Sequence, residues 1–249
     1  MKYINKKLTI ENIKIENIAS KFGTPAYCYS FNQLKKNIIN FKRSFESFSP
    51  IICFSIKSNS NANLLREIGK LGLGADVVSM GELMLAIKAG IKPKKIVFSG
   101  VGKTSNEISY AIDRKILLIN AESISEIKEI DRIAKSKNKK VEIGIRLNPN
   151  TDANTLNQIS TGKKDDKFGV NKKSFIKIIE YCKNSKNIEL ECLSVHIGSQ
   201  ILDYRPYEKM LRVIDNIIKK INFKFKYIDL GGGMGIPYNK NSKKLNYTK

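Results

Sequence analysis

The sequence has 249 residues, a formal net charge of +22, one histidine and four widely spaced cysteines without a C-x-x-C pair. This length favours one large α/β domain over two small ones, and so few cysteines and histidines argue against a zinc site. No apolar stretch is long enough to cross a bilayer and residues 1–7 lack the apolar core of a signal peptide, so we expect a cytoplasmic protein with no membrane partner.

The positive charge is a weak indication of a nucleic-acid partner. Most of the excess is lysine spread through segments with a helical pattern, and neither a dense basic arm nor an arginine-aromatic platform is visible. We therefore expect no nucleic-acid partner. A basic RNA-binding protein stays open as an alternative, which a salt-dependent binding test would reveal.

In chain order, residues 24–30 are the first predicted strand and precede the regular part of the chain. From residue 51 onward, short apolar runs alternate with longer amphipathic runs. The predicted strands are 51–57, 75–79, 95–100, 117–120, 141–148, 190–196 and 227–230. The predicted helices are 63–71, 81–89, 106–114, 124–135, 173–183 and 207–221. Strands that alternate with single helices predict βα units and a parallel sheet.

Several predicted helix ends carry local signals. Thr104 with Glu107, and Ser123 with Glu126, have the spacing of a capping box at a helix start. Gly72 and Gly90 stand where two of the helices should end, as glycine commonly does.

Seven βα units with short connections predict a (β/α)₈ barrel rather than an open sheet. The chemistry of such a barrel gathers at the carboxyl ends of its strands. The residues at those ends are polar or small, namely Lys57, Ser79, Gly100, Asn120, Arg146, His196 and the glycines 231–233. A parallel sheet that stops at seven strands would leave two open edges, so we expect the chain to be an incomplete version of a longer protein.

Lys57 is the most informative of these residues. It closes the apolar run 51–56 and precedes the polar stretch 58–61, so it stands at the end of a buried strand. Such a lysine is either a solvated strand end or an amine in a partly desolvated site. Desolvation favours the neutral, nucleophilic amine that condenses with an aldehyde.

Two later segments have the composition of phosphate-binding loops. After His196, Gly198 and Ser199 offer backbone N–H groups and a hydroxyl, although His196 by itself could equally be a hydrogen-bonded core residue. Residues 231–233 are three glycines after a strand, which permit a close approach of backbone to ligand. They are not a dinucleotide fingerprint, because Ile236 occupies the place of its third glycine. With Lys57, these loops indicate an aldehyde cofactor that carries a phosphate, which describes pyridoxal phosphate.

With these segments the chain resembles the fold-type III pyridoxal-phosphate decarboxylases, and among them the branch that acts on diaminopimelate. The resemblance extends from about residue 22 to residue 238. The matching segments are FGTP (22–25), SIKSN (55–59), GADVVSMGEL (74–83), GKT (102–104), RLNP (146–149), TG (161–162), KFGV (167–170), HIGSQ (196–200) and DLGGG (229–233).

The resemblance implies a role for several residues. Lys57 would bind pyridoxal 5'-phosphate covalently through its amine, and His196 would stack on the cofactor ring. Ser199, Gly232 and Gly233 would help to bind the phosphate, while Asp76 and Arg146 would line the cofactor pocket. The implied reaction converts meso-2,6-diaminopimelate to L-lysine and CO₂ in lysine biosynthesis.

The resemblance also implies parts that this sequence does not contain. The family has an alanine-racemase-like barrel with an eighth strand, whose acid pairs with the pyridine nitrogen, and a C-terminal β domain. We therefore expect residues 1–30 to be a segment whose strand belongs to that β domain, and residues 31–249 to be an incomplete cofactor-binding barrel. The implied assembly is a homodimer when full length, and we expect the chain alone to be poorly soluble and inactive.

Two alternatives remain open on the same fold. The first is a related decarboxylase acting on ornithine, arginine or carboxynorspermidine. The second is a catalytically silent paralogue that binds partners. The presence of Lys57, His196 and Ser199 argues against the second alternative.

Overall fold

The protein is described here by a computed structural model, which covers residues 1–153, 161–162, 168–239 and 245–247. Lys167 of the predicted KFGV motif and most of the tail after residue 239 lie outside these described residues. Internal contacts divide the chain into two units, Met1–Pro50 and Ile51–Lys249. Each unit is described by itself.

The first unit is a small antiparallel sheet followed by two helices. Strands β1 (Lys2–Ile4), β2 (Lys7–Ile10) and β3 (Ile13–Lys14) pair in sequence order, and helices α1 (Ile15–Phe22) and α2 (Phe31–Ser44) follow. Both hairpins turn through two residues with positive φ, which is the backbone form that matches the twist of paired strands. The Ser30 side chain caps α2 by accepting the Gln33 N–H at 3.0 Å.

The predicted strand over residues 24–30 is wrong within this chain, because no strand includes any of them. A strand persists only when a neighbour completes its backbone hydrogen bonds, and the three-stranded sheet is built from residues 2–14 instead. The contacts place the division of the chain after Pro50, so α2 groups with the first unit, whereas we predicted a boundary after Ser30. The assignment of residues 1–30 to a β domain stays a prediction.

The second unit contains seven parallel strands and six α-helices among its described residues. The strands are β4 (Cys53–Ser55), β5 (Gly74–Val77), β6 (Ile96–Phe98), β7 (Leu118–Ala121), β8 (Val141–Arg146), β9 (Ile188–Ser194) and β10 (Tyr227–Asp229). The helices are α3 (Ala62–Lys70), α4 (Met80–Lys88), α5 (Ser105–Asp113), α6 (Ile124–Ser136), α7 (Lys172–Asn184) and α8 (Arg205–Ile221). Each strand pairs with the next one in sequence, so the predicted parallel sheet of βα units is confirmed.

The sheet is strongly curved. Neighbouring strands lie about 4.8 Å apart, so a flat sheet of this size would separate its two edge strands by roughly 29 Å. Yet Cys53 on β4 and Tyr227 on β10 both pack against one buried cluster that includes Val97 on β6 and Cys192 on β9. The second unit is therefore an incomplete TIM-type barrel whose edges are β4 and β10, as predicted.

The helix boundaries follow the predicted signals with one exception. Thr104 and Glu107 form a complete capping box, and Gly72 and Gly90 adopt positive φ directly after α3 and α4. Ser123 caps α6, but the Glu126 carboxylate accepts the N–H of Glu122 at 2.8 Å rather than that of Ser123. The box over Ser123 and Glu126 is therefore only half formed. Over the described ranges, no helix combines the length and the apolar character needed to cross a bilayer.

Gly74 provides a test of the close strand packing at the start of β5. A Cβ atom there would lie 2.0 Å from the backbone oxygen of Lys95, which cannot move without shifting a neighbouring strand. We expect Gly74→Ala to lower the free energy of unfolding by about 1–3 kcal/mol, the usual cost of overpacking. Gly102→Ala is the matched control, because a Cβ at Gly102 meets no atom within 4 Å. Equal urea-unfolding midpoints for the two variants would contradict this account.

Candidate active site

The predicted site residues gather at the carboxyl end of the curved sheet, which we call the barrel mouth. Asp76 lies on β5 and Arg146 ends β8. Lys57 follows β4, His196 and Ser199 follow β9, and Gly232 and Gly233 follow β10. Parallel strands place all their carboxyl ends at one side of the sheet, so residues far apart in sequence meet there.

Lys57 lies in a 3-10 turn, Ile56–Ser58, directly after β4. The turn is fixed by the fully buried Ile56 side chain and by the Ser58 hydroxyl, which donates to the Ser55 oxygen at 2.7 Å. Lys57 itself is exposed, so the chain alone does not supply the partial desolvation that we predicted. The physical reason is that β4 is an edge strand, which pairs only with β5 within the part of the chain that the structure describes.

The charge of Lys57 nevertheless acts on two of the predicted residues. It is the smallest of the causes that shift the pKa values of Asp76 and His196, and it lowers both. Asp76 accepts hydrogen bonds from Ser99 Oγ at 2.6 Å and from Ser55 Oγ at 3.1 Å. Burial is the main cause that raises the pKa of the Asp76 carboxyl, and repulsion by Asp229 adds to it. The mouth therefore combines the amine of Lys57 with a partly buried carboxyl group.

His196 is neutral at physiological pH in this environment. Burial, together with the nearby charges of Arg146 and Lys57, lowers the pKa of its imidazole to about 4. The Gly232 N–H donates to His196 Nδ1 at 3.2 Å. Because Nδ1 accepts, we assign the single proton of the neutral ring to Nε2.

Two of the three glycines after β10, Gly231 and Gly233, are required by the close packing of two loops. Gly231 and Gly233 adopt φ of 67° and 85°, a region that favours glycine. A Cβ at Gly233 would lie 1.8 Å from the Gly198 oxygen, and one at Gly231 would lie 2.7 Å from His196 Nδ1. The Ile201 N–H donates to the Gly233 oxygen at 2.9 Å, which joins the glycine turn to the loop after His196.

The donors of these two loops fit a phosphate group. Among the described residues, neither the Ser199 hydroxyl nor the Gly233 N–H donates to a protein acceptor. Gly232 leaves open space where a side chain would stand, and its own N–H is used by His196. A small loop that offers backbone N–H groups and a hydroxyl near two cations has the chemistry of an anion site. Ser199 and Gly233 therefore fit the cofactor phosphate that we predicted for them.

Asp229 is a site-shaping residue that the sequence reading did not single out. It accepts hydrogen bonds from Ser194 Oγ at 2.9 Å, Asn120 Nδ2 at 3.1 Å and the Gly231 N–H at 2.8 Å. These contacts join β7, β9 and β10 and also position the glycine turn. The available signal was the acid inside the apolar run of β10, since a carboxylate that is partly removed from water needs polar partners.

The contacts of Arg146 with Glu122 and Phe168, and that of Tyr207 with Gly232, were not predicted from the sequence. Arg146 Nη1 donates to the buried carboxylate of Glu122 at 3.2 Å, and the guanidinium lies 4.9 Å from the centre of the Phe168 ring. Tyr207 on α8 donates through its hydroxyl to the Gly232 oxygen at 2.9 Å. Ser79, predicted at a strand end, caps α4 instead by accepting the Glu82 N–H.

Comparisons with known proteins agree with this site. Residues 31–249 match the family model described as pyridoxal-dependent decarboxylase, pyridoxal binding domain. Diaminopimelate decarboxylase of Aquifex aeolicus is 41% identical over 247 residues, which cover 98% of this chain and 58% of that protein. The corresponding protein of Helicobacter pylori strain J99 is 42% identical over 226 residues, which cover 90% of this chain and 56% of that protein. The chain thus spans a little over half the length of the curated relatives that it matches.

Among solved structures, diaminopimelate decarboxylase from Helicobacter pylori complexed with L-lysine has a TM-score of 0.90 and 39% identity to this chain. The match covers 94% of this chain and 60% of that structure. The similarity therefore includes the whole arrangement of strands around the mouth.

The protonation state of His196 can be measured directly, because it is the only histidine in the sequence. We expect its Cε1–H resonance to stay unchanged from pH 7 to pH 5, since the pKa is lowered from 6.5 to about 4. In the unfolded chain the imidazole has its ordinary pKa and is protonated at a higher pH than in the folded chain. The free energy of unfolding therefore falls as the pH is lowered from 6.5 to about 4. The measurement is an NMR titration of protein without a histidine tag. A midpoint between pH 6 and pH 7 would contradict the buried, neutral imidazole.

Proposed function

Because the chain belongs to the pyridoxal-dependent decarboxylase family, we propose that it binds pyridoxal 5'-phosphate at the barrel mouth and forms the cofactor-binding part of a meso-2,6-diaminopimelate decarboxylase. The observation that carries the proposal is the meeting of Lys57, His196 and the two donor loops at one end of one sheet. An amine for an aldehyde, a flat neutral ring and donors for a phosphate together match this cofactor. Pyridoxal phosphate, when bound, supplies an electron-poor ring that accepts the electron pair left behind when a carboxylate departs as CO₂.

In this proposal Lys57 is the residue that binds the cofactor covalently. Its amine is exposed and flanked by the Asp76 carboxyl, which is itself fixed by two serine hydroxyls. An amine must lose a proton before it can act as a nucleophile, and a neighbouring carboxyl group offers a place for that proton. Asp76 is therefore proposed to exchange a proton with the Lys57 Nζ, in addition to attracting the ammonium form.

His196 is proposed to lie against the cofactor ring. The hydrogen bond from Gly232 fixes the orientation of the imidazole, and its lowered pKa keeps it uncharged. A neutral ring can pack on an aromatic cofactor without adding a second positive charge beside Lys57. The Ser199 hydroxyl and the Gly233 N–H are proposed to donate to the phosphate, with Gly232 permitting its close approach.

The substrate is proposed from the relatives. Curated proteins that are 35% to 42% identical to this chain are diaminopimelate decarboxylases. These identities favour diaminopimelate over ornithine, arginine or carboxynorspermidine. A homodimer of the full-length protein and a cytoplasmic location are proposed on the same basis.

Removal of Lys57 tests the covalent role. We expect Lys57→Ala, in the full-length protein purified with pyridoxal phosphate, to abolish the cofactor that sodium borohydride attaches covalently to the chain. The reason is that Lys57 is the lysine whose charge acts on both Asp76 and His196. Lys70→Ala on the surface of α3 is the matched control and should retain the label. Labelling of the Lys57 variant at the native level, measured by mass spectrometry, would refute the assignment.

Substrate choice can be tested by CO₂ release from a panel of amino acids. We expect the full-length protein to release CO₂ from meso-2,6-diaminopimelate with L-lysine as product, and to act on ornithine, arginine and carboxynorspermidine on the order of 100-fold more slowly or worse. We expect the 249-residue chain alone to release none. Comparable rates with ornithine would favour the related decarboxylase, and no release from any substrate would favour the silent paralogue.

A further inference from the structure

Glu122 is a buried carboxylate directly behind the barrel mouth, at the end of β7. Its side chain is 3% exposed, and it faces the Arg146 side chain, which is 13% exposed. Glu122 Oε1 accepts from Arg146 Nη1 at 3.2 Å, and Oε2 accepts from the same nitrogen at 3.4 Å. Oε2 also accepts the Gly169 N–H at 3.1 Å. A buried charge is stable only when it is paired and hydrogen-bonded, and this pair meets both conditions.

The Arg146 guanidinium is held on two sides, and its remaining amino group is buried without a partner among the described residues. Glu122 binds Nη1, and the Phe168 ring lies against the guanidinium at 4.9 Å. The second amino group, Nη2, is buried and has no hydrogen-bond partner among the described residues. Arg146 is near enough to His196 to lower the pKa of the imidazole. A buried N–H group without a partner costs free energy, so we expect Nη2 to donate a hydrogen bond to an acceptor at the mouth.

Glu122 also fixes the backbone that carries the Phe168 ring. Gly169 adopts φ of 74°, and a Cβ there would lie 3.0 Å from the Arg146 oxygen. The Val170 N–H donates to that same oxygen at 2.8 Å. One carboxylate therefore positions both the guanidinium and the turn whose ring packs on it.

The backbone of Glu122 is fixed in turn by a second buried ion pair. The Glu122 N–H donates to Glu126 Oε2 at 2.8 Å, and Glu126 Oε1 accepts from Lys103 Nζ at 2.7 Å. The Lys103 side chain is 1% exposed, and its Nζ also donates to the Asn120 oxygen at 2.7 Å. The contacts thus run from Lys103 through Glu126 and Glu122 to Arg146, and each of the two carboxylates is paired with one cation.

We propose that Glu122 is a positioning residue for the cofactor site, which fixes the Arg146 guanidinium through Nη1 so that Nη2 is presented to an oxygen of the bound cofactor. Glu122 itself does not touch the cofactor. This role rests on the proposed function only in naming pyridoxal phosphate as the group to which Arg146 donates. The contacts of Glu122 with Arg146 and Gly169 are present in the protein itself.

The test is a double-mutant cycle in the full-length protein with Glu122→Gln, Arg146→Met and the combined variant. The readouts are the dissociation constant for pyridoxal phosphate, from a fluorescence titration, and the thermal midpoint of the cofactor-free protein. We expect Glu122→Gln to weaken cofactor binding about 10-fold, because an unpaired guanidinium loses its fixed orientation. We expect the combined variant to bind no more weakly than Arg146→Met alone, since Glu122 acts through Arg146. Glu129→Gln, on the exposed face of α6, is the matched control and should bind as the native protein does.

Each outcome of the cycle has one interpretation. Native affinity in Glu122→Gln, or losses that add in the combined variant, would overturn the positioning role. A thermal midpoint that falls with unchanged affinity would assign Glu122 to stability alone and would also overturn it. If Glu122→Gln does not fold, Glu122→Asp, which keeps the charge and shortens the side chain, takes its place in the same cycle. Failure of the native protein to bind pyridoxal phosphate would overturn the proposed function instead.

Discussion

One partly buried carboxylate, that of Asp229, gives the barrel mouth its shape. It lies on the edge strand β10 and accepts hydrogen bonds from Ser194 on the adjacent strand β9 and from Asn120 on β7. The contact with Asn120, three strands away, exists only because the sheet is curved, and it stabilises that curvature. The same carboxylate accepts the Gly231 N–H, so the glycine turn is aligned by the contact that bends the sheet.

The charges of the mouth follow from this geometry. The imidazole of His196 remains neutral because burial lowers its pKa, and the charges of Arg146 and Lys57 add to that effect. Asp76 and Glu122 provide the negative charge, one beside Lys57 and the other paired with Arg146. An anionic aldehyde such as pyridoxal phosphate meets cations, hydrogen-bond donors and a neutral ring in one place. The large positive charge of the whole chain is not part of this arrangement, because its lysines are spread over the helices.

Much of the fold could be predicted from local patterns. All seven strands of the second unit lie where apolar runs predicted them, and the Thr104 capping box forms as its spacing indicated. The positions of His196, Ser199 and the glycines followed from the rule that parallel strands end on one side. The prediction failed for residues 24–30, because β propensity produces a strand only where a pairing partner exists.

The amino-acid order alone thus determined the alternation of strands and helices and the set of groups that meet at the mouth. Tertiary structure decided which buried polar groups pair. Glu122 bonds to Gly169, 47 residues away, and Asn120 bonds to Asp229, 109 residues away. It also decided that Lys57 is exposed, because β4 is an edge strand. The periodicity of apolar residues indicates which side chains are buried. The curvature of the sheet determines which polar groups come within hydrogen-bonding distance.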